Sequence, residues 1–292
     1  MSGRRGGLSR RAALCAGGVL VAGCVGRFAV EQGGGTAITF GVVADVQYAD
    51  RDASLGRFYR DSAEKLRECI RAMNQARPAF MVMLGDLIDN AKTVDEELAA
   101  LRQIDGIYRG FDGPRHYVLG NHELEVLSKE QFIESTGMPG AHDGFDGGGF
   151  RFLVLDANYM EDGTPYKAGN FAWTESYVAR AEGEWLEKEL GRTTKRVIVF
   201  VHQPLDDEHG LHGVKNGAEV RRILERSGKV MAVFQGHQHR GAYRKIGGIH
   251  YFTMRGMCEG AGPGNSAYAM VRVKEGGGIE VRGYSTQMDY SV

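Results

Sequence analysis

A chain of 292 residues, 42% of them hydrophobic, can build one large core without needing a second domain. Its 36 Lys and Arg stand against 37 Asp and Glu, and a net charge of -1 offers no electrostatic basis for nucleic acid, so none is expected as a partner. The 43 glycines predict many tight loops, which is where such a chain carries its chemistry.

The first 30 residues differ in kind from the rest. They have a basic start, the pair Arg10 and Arg11 after Ser9, and an apolar stretch from Ala12 to Gly23 that is too short and glycine-rich to span a membrane. The pattern reads as an export signal of the twin-arginine kind. Its end, Val21-Ala22-Gly23-Cys24, resembles a bacterial lipobox, in which the cysteine becomes the lipidated first residue. The alternative is an ordinary signal cut nearby, with Cys24 unmodified. Residues 1–35 are therefore read as leader and a short link, Gly33-Gly34-Gly35, and 36–292 as the domain. The expected location follows: export across the cytoplasmic membrane of a bacterium, ending as an anchored lipoprotein or as a periplasmic or extracellular protein.

The domain opens with AITFGVVAD (37–45), a buried strand ending at an acid. Leu55, Phe58, Tyr59, Leu66, Ile70 and Met73 recur at helical spacing and predict a helix over 55–76, closed before Pro78. Strands are expected at 80–86, 115–123, 150–157, 195–204 and 229–239, with helices near 94–108, 175–190 and 217–227. After residue 240 only strands follow, at 242–246, 249–254, 267–274 and 279–285. Segments 137–149 and 157–173 read as long loops, either a rim over a site or plain surface connections. The alternation makes this an α/β chain with helices outside sheet layers. Cys69 falls in a helical pattern and reads as core, Cys258 lies in a glycine-rich loop, and the sequence leaves their pairing open.

Five strand ends carry side chains able to bind a cation: Asp45 with Gln47, Asp86, Asn121 with His122, His202, and His237 with His239. The carboxyl ends of strands aim such groups into one crevice. One buried histidine is more often a hydrogen-bonded core residue, and one Asp after a strand a turn former, but five such ends are hard to explain as independent turns. Beside His122, the set offers two carboxylates, two amide carbonyls and three imidazoles, too many for one four-coordinate ion and suited to two ions sharing an acid. Oxygen and imidazole without thiolate favour Mn²⁺ or Fe²⁺ over a thiolate-rich zinc centre, with Mg²⁺ and Zn²⁺ as further options. Two ions about 3.5–4 Å apart can hold a phosphoryl group and activate water, so hydrolysis of a phosphate ester or anhydride is the expected reaction.

On these residues the chain resembles the calcineurin-like metallophosphoesterases, whose pattern runs D-x-H, G-D-x-x-D or N, G-N-H-E or D, an isolated H, and G-H-x-H. Here stand Asp45-Val46-Gln47, Gly85-Asp86 through Asp89, Gly120 to Glu123, His202, and Gly236 to His239, in the same order from residue 38 to about residue 240. The resemblance implies a four-layer double β-sandwich flanked by helices and a dinuclear site. Asp45, Gln47, Asp86 and His239 would hold the first ion, and Asp86 as bridge with Asn121, His202 and His237 the second. His122 would touch the scissile phosphate and protonate or stabilise the leaving oxygen, with Asp89 fixing its other ring nitrogen. The plain alternative for Asp89 is a helix N-cap or turn.

Gln47 departs from D-x-H. Its amide oxygen is a neutral, harder and weaker donor than imidazole, so the first ion should be held less tightly, with a lean toward Mn²⁺ or Mg²⁺. D-x-Q, with FGVVADVQYAD (40–50), RFYRDS (57–62) and GHQHRGAY (236–243), is similar to a branch of manganese-dependent ADP-ribose/CDP-alcohol diphosphatases. That implies a small phosphate-containing substrate, a nucleoside diphosphate derivative. The alternatives are a broad extracytoplasmic phosphodiesterase or phosphomonoesterase, and, in another class, a non-catalytic binding protein on the same fold. Asn90, Tyr48 and Arg60 are the expected substrate contacts, against turn or core readings for each, and His209 and His212 are candidates for the rim.

Overall fold

The structure, a computed structural model, describes residues 35–292 apart from 171, 208 and 209. The expected leader with Cys24 lies outside the described residues, as does His209. Twelve strands form two six-stranded sheets among the described residues. In one, β1 (Thr36–Val43), β2 (Phe80–Met83) and β3 (Arg115–Tyr117) run parallel, and β10 (Ala267–Lys274), β11 (Ile279–Ser285) and β12 (Tyr290–Ser291) extend it antiparallel beyond β1. In the other, β5 (Phe150–Leu155), β6 (Arg196–Val201), β7 (Val230–Gln235) and β9 (Ile249–Arg255) run parallel, with β4 (Asp143–Gly147) and β8 (Arg240–Ile246) as antiparallel edges.

Strands covered on both faces need continuous apolar runs rather than alternation. In β1, Phe40 and Val42 enter the layer between the sheets while Val43 joins the layer beneath the helices. The middle layer is largely aromatic: Phe40 stacks on Phe80 with centroids 5.0 Å apart and meets Phe200 edge-on at 5.6 Å. Helices α1 (Ser62–Ala76), α2 (Val94–Tyr108) and α3 (Lys129–Thr136) bury Leu66, Ile70, Met73, Leu101, Ile104 and Phe132 on the first sheet. Helices α4 (Arg180–Arg192) and α5 (Gly217–Ser227) bury Leu186, Leu190, Val220 and Leu224 on the second. The result is the expected four-layer sandwich, helix, sheet, sheet, helix.

Several boundaries differ from the sequence reading. Helix α1 begins at Ser62, not residue 55, because Leu55 is 93% exposed with φ +53, a left-handed conformation that no α-helix continues through. Strand β3 stops at Tyr117, and His122–Glu125 is a 3₁₀ turn. Helix α3 was not foreseen, although Ser128 and Gln131 close it with a reciprocal capping box. Strand β4 lies inside the segment read as loop, with Phe145 its one large apolar side chain. Cys69 and Cys258 are both buried and unpaired, which answers the disulfide question.

Candidate metal centre

The parallel strands of both sheets end on one crevice, and backbone hydrogen bonds sew those ends together. Asp45 N donates to Gly85 O (3.1 Å), Gln47 N to Asp86 O (2.8 Å) and Gly236 N to His202 O (2.9 Å). Met257 N and Cys258 N donate to Ala44 O and Asp45 O, 3.0 Å each, tying the end of β9 to the end of β1 across the sheets. Among the described residues seven non-glycine positions have positive φ, and four of them are Asp45 (52°), Gln47 (45°), Asp86 (54°) and His237 (65°). Strain gathered at the strand ends, rather than scattered through loops, marks a functional crevice. Two glycines make the approach close enough. A Cβ on Gly85 (φ +89°) would stand 2.6 Å from His202 Nδ1, and one on Gly120 would stand 2.2 Å from Asp86 N.

An inner cluster forms around Asp86. His202 Nε2 lies 3.2 Å from Asp86 Oδ2 and 3.1 Å from Asn121 Oδ1, while its Nδ1 donates to Leu84 O (2.7 Å), which fixes the ring. The ligand-type atoms of Asp86, His202 and His237 fall within 4.8 Å of one another, and all three residues are buried. His237 Nε2 has no hydrogen-bond partner among the described residues. A buried polar nitrogen left alone costs about 1–3 kcal/mol, a cost that a cation between these groups removes. Burial opposes charge on Asp86, yet His202 and His122 hold its carboxyl well below the usual range. Burial likewise opposes charge on His202, where Asp86 prevails and raises the pKa to about 9. Burial keeps His237 well below the imidazole value, leaving it a neutral lone-pair donor. A depressed carboxylate beside imidazoles is a site that exchanges protons for a cation, so the residues present fit divalent ions.

The outer cluster is built on Asp45. Its carboxylate accepts His237 N (3.1 Å) and lies 3.4 Å from His239 Nε2, while Gln47 Nε2 donates to Asp86 Oδ2 (3.3 Å) and links the two clusters. Asp45, Gln47, Asp86, Asn121, His202, His237 and His239 thus meet in one place. Beneath them Glu123 accepts Asp86 N (3.2 Å) and Leu87 N (2.5 Å), holding the strained turn. Burial raises the Glu123 pKa to about 7. This supporting role was missed, although Glu123 stands in the quoted G-N-H-E stretch. Also unforeseen were Cys258 and Glu259, whose ligand-type atoms cluster with those of His239.

His122 sits at the mouth. Its N donates to Asp86 Oδ1 (2.9 Å), and its Nδ1 lies 3.5 Å from Asp89 Oδ1 and 3.6 Å from Glu125 Oε2. Burial opposes charge on the ring, but Asp86, Asp89 and Glu125 hold its pKa well above the ordinary imidazole value, so it can carry a proton at neutral pH. Asp89 does not cap α2, whose N-cap is Thr93; it pairs with Arg51 (2.9 Å) and faces Arg57 (3.8 Å).

The expected substrate contacts divide. Asn90 donates to Glu125 Oε1 (2.7 Å) and accepts from Arg51. Asn90 lines, with Asp89, Tyr48, Arg51 and Lys92, a cavity of about 630 Å³, although Tyr48 also packs into the core beneath the helices. Arg60 does not join them: its exposed guanidinium is held by Asp50 (2.6 Å) and Asp52 (2.7 Å), and Arg57 is the residue of that stretch that faces Asp89. On the opposite rim, the His212 ring stands 5.3 Å from that of His237 and 5.5 Å from that of Trp173.

Residues 38–241 match the family model of the calcineurin-like phosphoesterases. The chain belongs to that family. Membership makes it a metal-dependent phosphoester hydrolase, in agreement with the fit of its residues to divalent ions. A dimetal phosphatase from Danio rerio superposes with a TM-score of 0.78 at 23% identity, covering 88% of this chain and 99% of its own, and so shares the fold. Among curated relatives, the manganese-dependent ADP-ribose/CDP-alcohol diphosphatase of Oryza sativa subsp. japonica is 28% identical over 80% of this chain and 88% of its own length. The Arabidopsis thaliana protein of the same name is 26% identical over 80% and 90%.

Proposed function

We propose that this protein is a two-metal phosphohydrolase that cleaves the diphosphate bond of nucleoside diphosphate derivatives of the ADP-ribose or CDP-alcohol type. The observation that carries the reading is the convergence of both clusters on Asp86, with the orphaned His237 nitrogen on one side and Gln47 on the other. The names of the relatives support the substrate class, and Gln47 in place of histidine supports Mn²⁺.

In this reading Asp45, Gln47, Asp86 and His239 hold one ion and Asp86, Asn121, His202 and His237 the other. Bound there, two divalent ions supply Lewis acidity to the phosphoryl oxygens and lower the pKa of water. The chain does the rest. The strained turns at Asp45 and Asp86 keep both carboxylates aimed into the crevice before substrate arrives. His122, charged and held beside Asp86, gives its proton to the leaving oxygen. Asp89 keeps the His122 ring in that orientation and is itself held by Arg51. The cavity beside Asp89 and Asn90 has room for the part of the substrate beyond the scissile bond.

The decisive test is the initial rate of the Mn²⁺-loaded protein on ADP-ribose, CDP-choline, bis-p-nitrophenyl phosphate and p-nitrophenyl phosphate, with His122→Ala as control. Fast release of AMP or CMP, lost in the variant, is the expected result. A preference for the aryl esters would move the assignment to broad phosphate scavenging. The same proposal places the protein outside the cytoplasm, anchored through a lipidated Cys24. Mass spectrometry of the mature N-terminus checks this, and an unmodified start beyond Cys24 would remove the anchor.

A further inference from the structure

The loop that follows β9 supplies none of the ligands read from the sequence, yet it closes one side of the outer cluster. Glu259 Oε1 lies 2.7 Å from His239 Nδ1. A carboxylate only accepts, so Nδ1 carries a proton, and Nε2, which faces the Asp45 carboxylate at 3.4 Å, is the nitrogen left to turn to a cation. Next to it, the buried Cys258 thiol donates to Gln47 Oε1 (3.3 Å). From the helix side the loop is held by a buried lysine, and by Asp61, which accepts Gly262 N at 2.8 Å. Lys65, fully buried on α1, donates from Nζ to Met257 O (2.9 Å), Glu259 O (2.8 Å) and Gly260 O (2.6 Å). An ammonium taken out of water must recover its hydrogen bonds, and here all three go to backbone carbonyls within four residues.

We propose that Glu259 is the positioning residue for His239 and, through it, for the cation of the outer cluster, and that Lys65 is the latch that keeps Glu259 within reach. The inference rests on the two-metal reading above. The imidazoles of the two clusters are treated differently. His202 is steadied by a backbone carbonyl, Leu84 O, in a fully buried pocket. His239 is partly exposed and shares its cluster with a neutral amide, Gln47, so a carboxylate behind it adds basicity and negative charge where the amide supplies neither. Glu259 is well suited to this task because its loop is fixed on both sides of it, by Lys65 and by the backbone bridge between Arg57 and Glu259 among other ties.

The test is a Mn²⁺ titration of the full chain, following free Mn²⁺ by electron paramagnetic resonance, for the wild type, Glu259→Ala, Glu259→Gln and Lys65→Met. The wild type is expected to bind two ions. Glu259→Ala should weaken one of them by about 10–100-fold and leave the other unchanged. Its thermal midpoint without metal should stay put, since the Glu259 side chain is 33% exposed. Glu259→Gln, which still accepts the Nδ1 hydrogen bond, should recover part of the loss. Two ions of unaltered affinity in Glu259→Ala would overturn the proposal and leave the two-metal reading standing. A wild type that binds no Mn²⁺ would overturn both. Lys65→Met should weaken the same ion, and a lowered midpoint with both affinities intact would remove the latch.

Discussion

Around Asp86 the contacts come from the ends of β2, β3, β6 and β7, every ligand-type side chain is buried, and the ring of His202 is pinned by a main-chain carbonyl. Around Asp45 a neutral amide replaces an imidazole, His239 is partly exposed, and its support is a carboxylate on a loop held by a distant lysine. The inner cluster is therefore fixed by strand geometry, which cannot change without unsettling the sheets. The outer one depends on side chains that can be exchanged one at a time, so metal preference should be adjustable there and almost nowhere else.

In the two-metal reading Asp86 bridges both ions, and Asp86→Ala should have the largest effect: no tightly bound Mn²⁺ at either position and turnover at the assay background, read by metal analysis and rate together. Retention of one full-affinity ion would show that the clusters are independent. His122→Ala should lower kcat by about 100–10,000-fold while two Mn²⁺ ions remain bound. A fall in metal content would instead make His122 part of the inner cluster. Gln47→His should keep hydrolysis, tighten the outer ion and relax the preference for Mn²⁺ over other divalent ions, and an unchanged preference would count against the adjustable outer cluster.

The smallest effect is expected at a histidine remote from both. Burial lowers the pKa of His116, stacked on Phe145, to about 4 from an ordinary value of 6.5. The unfolded chain then binds a proton that the folded chain refuses, so this contribution to stability is complete above pH 6.5 and is lost as pH falls toward 4. His116→Phe should flatten the thermal midpoint across that window without altering Mn²⁺ affinity.

The ligand-type residues were legible because each follows an apolar parallel strand by one to four residues, and the fold class followed from the strand and helix alternation. The start of α1 was not, because Leu55 and Phe58 mimic the helical period from within a loop. Helix α3 and β4 were hidden among glycines and polar residues, where short elements rely on a capping box and on pairing with β5 rather than on apolar periodicity. Cys258 and Glu259 were invisible for a topological reason. The strands after residue 240 read only as a run of strands without helices, a pattern silent on pairing, but the β8–β9 hairpin turns outward so that β9 lies parallel to β7. Only that placement puts its end in the crevice and brings Cys258 against Gln47, 211 residues away.

Strand β1 runs from Thr36 toward Asp45, so the backbone enters the domain at the pole opposite the crevice, roughly 25 Å from it at the usual rise per residue. Attachment ahead of Thr36, whether to a bead, a sensor chip or a fused carrier, accordingly leaves the catalytic mouth pointing outward. The C-terminal Val292, hydrogen-bonded to Ile279 on the edge of the first sheet, is the poorer handle, since pulling on it tugs at β12 and β11.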